Sequence, residues 1–194
     1  IEEAARNTRL SKTSDFGSGC SADGNLIIEA SIFDKLVAQL QKEGGHLASP
    51  AEKELLRKAM WDDERHRTAS TVAIAPQQLA KIAGFEIPAD RKFIMVHGDG
   101  IGKEHHFSGE KLTTLLALYK YQGFDQALDM MRAIYEVGGK GHSCGIYSFD
   151  ADHIHRLGLA APVSRIMVRQ PQSKANAGAF NNGMPMTSSL GCGT

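Results

Sequence analysis

Cys20 stands in Asp15-Phe16-Gly17-Ser18-Gly19-Cys20-Ser21-Ala22-Asp23-Gly24, where small residues flank the thiol on both sides. That setting leaves room for a carbonyl to approach the sulfur and for the backbone to bend beneath it. The chemistry on offer is covalent, a thiolate adding to a carbonyl carbon. A lone cysteine can equally be a small buried hydrophobe. Two further thiols compete for the role. Cys144 begins the apolar run that continues through Ile146-Tyr147-Ser148-Phe149, which favours a buried structural place, and Cys192 lies among glycines. No Cys-x-x-Cys pair exists, so the three cysteines do not make a zinc site.

His142 is the most suggestive imidazole, set in Gly138-Gly139-Lys140-Gly141-His142-Ser143 directly before an expected strand. It could move a proton or stabilise charge, or simply cap its loop. His105-His106 and His153-x-His155 read as surface histidines, because neighbouring residues face different ways on most backbones. Glu110, taken alone, is a solvated loop acid. Arg165, Arg169 and Lys174 form a basic run suited to an anionic group, or to plain solvation.

The elements that must hold these groups alternate. Asn25 to Ala30 reads as a buried strand placed just after Cys20. Ile32, Phe33, Leu36, Val37 and Leu40 have helical spacing, ended by Gly44-Gly45. Ser49-Pro50-Ala51-Glu52 is a capping box with proline at the first helical position, opening a helix towards Met60. Pro76 to Ala83 predicts a short helix closed by Gly84, and Phe93 to Val96 and Leu115 to Tyr121 predict strands. A long helix is expected over Asp125 to Val137, a strand over Cys144 to Phe149, a helix over Ala151 to Leu159, and a strand over Arg165 to Val168. Gln170 to Thr194, rich in Gly, Asn, Ser and Pro, reads as a long loop. The alternation predicts an α/β fold with a mostly parallel sheet and helices on both faces.

With 194 residues and 42% hydrophobic content, the chain can bury one good core as one domain. Twenty-two basic residues balance 22 acidic ones, which gives no bulk charge for nucleic acid or a membrane surface. No run approaches a membrane span, the start is not a signal peptide, and an odd, scattered cysteine count fits a reducing cytoplasm. Both ends read as cut, and no Gly-x-Gly-x-x-Gly follows a strand before Cys20.

Four segments, in order, resemble the CoA-acylating aldehyde dehydrogenases. They are Ser11-Lys12-Thr13-Ser14-Asp15 leading to Gly19-Cys20-Ser21, Gly109-Glu110-Lys111-Leu112 followed by Leu115 to Tyr119, Gly138 to Ser143, and Ser188-Ser189-Leu190-Gly191-Cys192-Gly193-Thr194. The branch that oxidises sulfoacetaldehyde is the closest in Gly19 to Gly24. The resemblance implies that residues 1–194 are the cysteine-bearing catalytic domain of a longer enzyme, the NAD(P)-binding domain lying outside this chain. It implies Cys20 as nucleophile, Glu110 on the nicotinamide ribose, and His142 assisting the CoA thiol or the hemithioacetal. Arg165 and Arg169 would meet a sulfonate, a carboxylate or the phosphates of CoA or the dinucleotide. NAD or NADP and coenzyme A are the implied cofactor and co-substrate, a short aldehyde the substrate, and a homo-oligomer the expected assembly. These 194 residues alone are expected to lack dehydrogenase activity. A thioester-hydrolysing dehydrogenase, an acyl-phosphate reductase and a non-catalytic oligomerisation domain with a vestigial cysteine are the other readings.

Overall fold

Phe93, Ile94, Met95 and Val96 have no exposed surface, and neither do Leu115, Leu116 and Ala117. Strands so continuously apolar need cover on both faces, which parallel strands joined by helices supply. The computed structural model describes residues 1–179 and 182–186. Its elements are α1 (Glu2–Lys12), β1 (Asn25–Glu29), α2 (Phe33–Lys42), β2 (Gly45–Leu47), α3 (Pro50–Met60), α4 (Pro76–Ala83) and β3 (Phe93–His97). There follow β4 (Leu115–Tyr121), α5 (Phe124–Gly138), β5 (Gly141–Ile146), α6 (Ala151–Ala160), β6 (Val163–Val168) and α7 (Gln172–Ala175).

The first four strands form an all-parallel sheet in the order β1-β4-β3-β2, while β5 and β6 pair in parallel as a separate two-stranded sheet. Side-chain alternation divides the larger sheet between two cores. Ile94, Val96, Leu115 and Ala117 meet Leu56 and Met60 of α3 and Leu79 of α4. Phe93, Met95, Leu116 and Leu118 meet Ala5 of α1 and Phe33, Val37 and Leu40 of α2. Leu128 and Met131 of α5 and Leu157 of α6 close over Cys144, Ile146 and Ile166 of the smaller sheet, with Ile27 of β1 joining from the larger. The expected α/β fold with helices on both faces is therefore present, its sheet split in two.

The capping box forms as expected: the Ser49 hydroxyl accepts from the Glu52 N–H, and the Ser49 N–H donates to the Glu52 carboxylate at 2.7 Å. Gly84 closes α4 in the left-handed conformation at φ 92°. Four local expectations need correction. The segment after α2 contains strand β2, whose three residues are too few for a period to show; a Cβ on Gly45 would lie 2.8 Å from the Met95 methyl. β1, expected to be buried, is half-buried. The strand expected over Cys144 to Phe149 begins at Gly141 and ends at Ile146, so His142 lies within it rather than before it. Glycine's poor strand propensity hid that start. The long loop expected after Gln170 contains α7, held to α1 by Ser173, which bonds the Ser11 hydroxyl and carbonyl at 3.0 Å each. Among the described residues, no helix is long and apolar enough to cross a membrane.

Candidate active site

Cys20 sits on a tight turn that leads into β1, with the Ala22 N–H donating to the Gly19 carbonyl across it at 2.8 Å. The turn is shaped upstream, where Asp15, Phe16 and Gly17 have φ of 48°, 51° and 70°. Gly17 has no substitute there, because a Cβ would lie 2.6 Å from the Thr113 carbonyl oxygen. The thiol that this geometry presents is exposed.

His142 approaches it from the other sheet. Its Nε2 lies 3.0 Å from the Cys20 sulfur, and its Nδ1 lies 2.8 Å from the Ser143 hydroxyl. The Ser143 oxygen also accepts from Asn176 Nδ2 at 2.7 Å. A hydroxyl oxygen has two lone pairs, so it can accept from both Asn176 and Nδ1–H. In that tautomer, Nε2 turns its lone pair to the thiol. Burial pushes the His142 pKa below its usual value; Glu110 opposes this and Arg165 adds to it. The shift favours the neutral imidazole, the form that can accept a proton.

Glu110 is exposed and lines the same cavity of about 730 Å³ as Cys20 and His142. Its position is set by its neighbour. The Lys111 ammonium is fully buried and donates to Asn25 Oδ1 at 3.0 Å and to the carbonyls of Phe107 and Gly109 at 2.6 and 2.8 Å. Asn25 begins β1, so one ammonium ties the base of the Cys20 turn to the segment carrying Glu110. Burial holds the Lys111 pKa well below the ordinary lysine value.

The two arginines are occupied by the protein's own main chain. Arg169 lines the cavity, but its guanidinium donates to the Ser148 carbonyl at 2.7 Å and lies over the Phe149 ring. Arg165, on β6, donates to the Asn176 carbonyl at 2.6 Å and so braces the residue that holds Ser143. Cys144 is in mid-strand, its pKa pushed up to about 11 by burial, against the Tyr135 hydroxyl. Cys192 and the Ser188 to Thr194 run lie outside the described residues. His105 faces Glu104, His106 lies edge-on to Trp61, and His153 stacks on Phe124. Among the described residues, no group of three or more His, Cys, Asp or Glu could hold a metal ion.

No protein-family model matches the chain. A sulfoacetaldehyde dehydrogenase of Acholeplasma sp is 33% identical over 198 residues, covering all of this chain and 41% of the relative. An acylating sulfoacetaldehyde dehydrogenase of Cupriavidus necator is 32% identical, covering all of this chain and 40% of the relative. The crystal structure of an acetylating aldehyde dehydrogenase from Geobacillus thermoglucosidasius superposes with a TM-score of 0.90 at 34% identity, over 94% of this chain and 40% of that one. The chain is homologous to the acylating aldehyde dehydrogenases. It spans about two-fifths of the length of these relatives.

Residue chemistry alone did not draw attention to Lys12, Asp23, Lys111, Ser143 or Asn176, although all five surround the thiol and imidazole of this dehydrogenase homologue. Lys12 is a second buried lysine on the cavity wall, its pKa lowered to about 8 by burial, against Asp23 and Glu110. Below pH 8 it is protonated whether the chain is folded or unfolded. Between about 8 and the unfolded value of 10.5 the unfolded chain holds a proton that the folded chain has lost. Stability from this group therefore rises with pH across that window, by up to about 1.4 kcal/mol per unit. Denaturant unfolding of wild type and Lys12→Met at pH 8 and 9 should show wild type gaining roughly 1 kcal/mol on the variant. A difference that is constant with pH would contradict the assignment.

Proposed function

We propose that this chain carries the thiol chemistry of a CoA-acylating, NAD(P)-dependent aldehyde dehydrogenase, with Cys20 as nucleophile and His142 as its base. The supporting observation is the 3.0 Å approach of His142 Nε2 to the Cys20 sulfur on the wall of a cavity shared with Glu110. Cys20 adds to the aldehyde carbon as its proton passes to Nε2, giving a hemithioacetal. The glycine-flanked Cys20 N–H is placed to donate to the carbonyl oxygen as it gains charge. A nicotinamide held against this wall supplies the hydride acceptor. Glu110, exposed and fixed by Lys111, fits the paired hydroxyls of a ribose. Once the imidazolium has released that proton to solvent, His142 takes the proton of the CoA thiol, whose sulfur adds to the acyl carbon and displaces Cys20 as the thiolate.

The relatives' names point to sulfoacetaldehyde, and we place acetaldehyde or another short aldehyde next. Arg169, by its place on the cavity wall, is the candidate for a sulfonate. Residues 1–194 then form the cysteine-bearing domain.

Acyl exchange tests the reading without hydride transfer, because the last step is reversible. The chain is incubated with acetyl-CoA, or with the acetyl thioester of N-acetylcysteamine, and mapped by mass spectrometry. One acetyl group on Cys20, removed by added CoA, is the expected result. Acetylation that falls on Cys144 instead, or that CoA cannot remove, would overturn it.

A further inference from the structure

Asp23 lies three residues beyond Cys20, on the same loop, and is 5% exposed. Its Oδ1 accepts from Gln172 Nε2 at 3.0 Å. The other oxygen of each group, Asp23 Oδ2 and Gln172 Oε1, is buried without a hydrogen-bond partner. A carboxylate beside a carboxamide leaves two acceptors and no donor between them. One added proton repairs both defects, because a carboxyl O–H can donate to Oε1 while Nε2–H donates to Oδ1.

Gln172 is the first residue of α7, and that short helix reaches both halves of the thiol–imidazole pair. At one end Gln172 holds Asp23 and, through it, the Cys20 loop. Just past the other end, Asn176 holds Ser143, which holds His142. Ser173, between them, is doubly bonded to Ser11 of α1. The Gln172 side chain crosses β5 at Gly145, where a Cβ would stand 3.1 Å from its Cγ. Cys20 and His142 are thus joined by a closed chain of contacts that runs through α7.

We propose that Asp23 is held as the neutral carboxylic acid in a reciprocal pair with the Gln172 carboxamide, and that this pair is the positioning element that sets the Cys20 turn against His142. Burial raises the Asp23 pKa and outweighs the Ser11 hydroxyl, the Gln172 amide and the Lys12 ammonium, which favour the charged form. The acid–amide pair stands on its own geometry; its role in positioning rests on the function proposed above.

Infrared difference spectroscopy of wild type against Asp23→Asn at pH 7 reads the proton directly. A protonated-carboxyl C=O band present only in wild type is expected, and carboxylate bands alone would overturn the neutral pair. Cys20 alkylation by iodoacetamide, followed across pH by peptide mapping, reads the positioning. Gln172→Ala and Asp23→Ala should slow Cys20 on the order of tenfold and shift its pH profile. Asp23→Asn should recover most of the rate lost in Asp23→Ala, since its amide can also donate to Oε1 and accept from Nε2. The double swap, Asp23→Asn with Gln172→Glu, should restore the carboxyl band from the other side of the pair. Unchanged pH profiles in folded Gln172→Ala would overturn the positioning role. Neither readout depends on acyl transfer, so failure of Cys20 to take an acetyl group would count against the proposed function and leave the infrared result standing.

Discussion

Cys20→Ala abolishes acetyl uptake from a thioester, with a fall of at least about 10³-fold in the rate of acyl incorporation. The size follows from the other described thiol. Cys144 is half-buried in β5, and its burial pushes its pKa up to about 11. At pH 8 only about one molecule in 10³ would hold it as the nucleophilic thiolate. Burial also denies it the approach that the Gly19-Cys20-Ser21 turn allows. Time-resolved intact mass, with peptide mapping to separate the cysteines, measures the effect. Uptake by Cys20→Ala at more than a tenth of the wild-type rate would place the reactive thiol elsewhere. Circular dichroism should show the variant folded, since the exposed side chain contributes nothing to either core.

His142→Ala lowers the same rate by about 10² to 10³-fold, the range removed when a positioned base is lost. The pH dependence is the more discriminating measurement. In wild type, the imidazole accepts a proton only while neutral, and burial keeps its pKa below the ordinary histidine value. Activity should therefore persist through pH 7 and decline on the acid side only as the pH falls through that lowered pKa. The variant has no imidazole to protonate, so this acid limb disappears and the rate simply rises with thiolate fraction. Rate measurements from pH 5 to 9 separate the two profiles. An acid limb that persists unchanged in His142→Ala would assign it to another group and remove His142 from the proton transfer. Arg165→Ala offers a milder check, since that cation helps hold the imidazole neutral.

Local grammar carried much of the fold into the sequence. The Ser49-Pro50-Ala51-Glu52 box, the apolar spacing from Ile32 to Leu40 and the seven residues from Leu115 to Tyr121 each announce their element, because cap chemistry and periodicity act over short range. The glycine-bracketed Cys20 and His142 could be picked out one by one. Their approach to 3.0 Å joins residues 122 positions apart, and nothing in either segment alone encodes that distance. Strand β5 was misplaced because Gly141 and Gly145 dilute the strand signal, yet Gly145 is what lets Gln172 pass. The burial of Lys111 was not legible, since composition cannot tell when three acceptors will surround an ammonium. Arg165 and Arg169 each donate to a main-chain carbonyl, a partner that their formal charge alone does not reveal.

Cys20 leads into a strand of one sheet, and His142 sits on a strand of the other. The proposed proton acceptor and nucleophile therefore stand on two separate sheet units, joined at Ile27, α5 and α7 rather than by strand pairing. Units of this kind open independently, at free energies below that of complete unfolding. Reactivity of the thiol then reports the docking of β5–α6–β6 on the larger sheet, and amide exchange in that unit should quicken under the conditions that silence Cys20, while β3 and β4 remain protected. The proposed thiol chemistry would be lost before the rest of the fold.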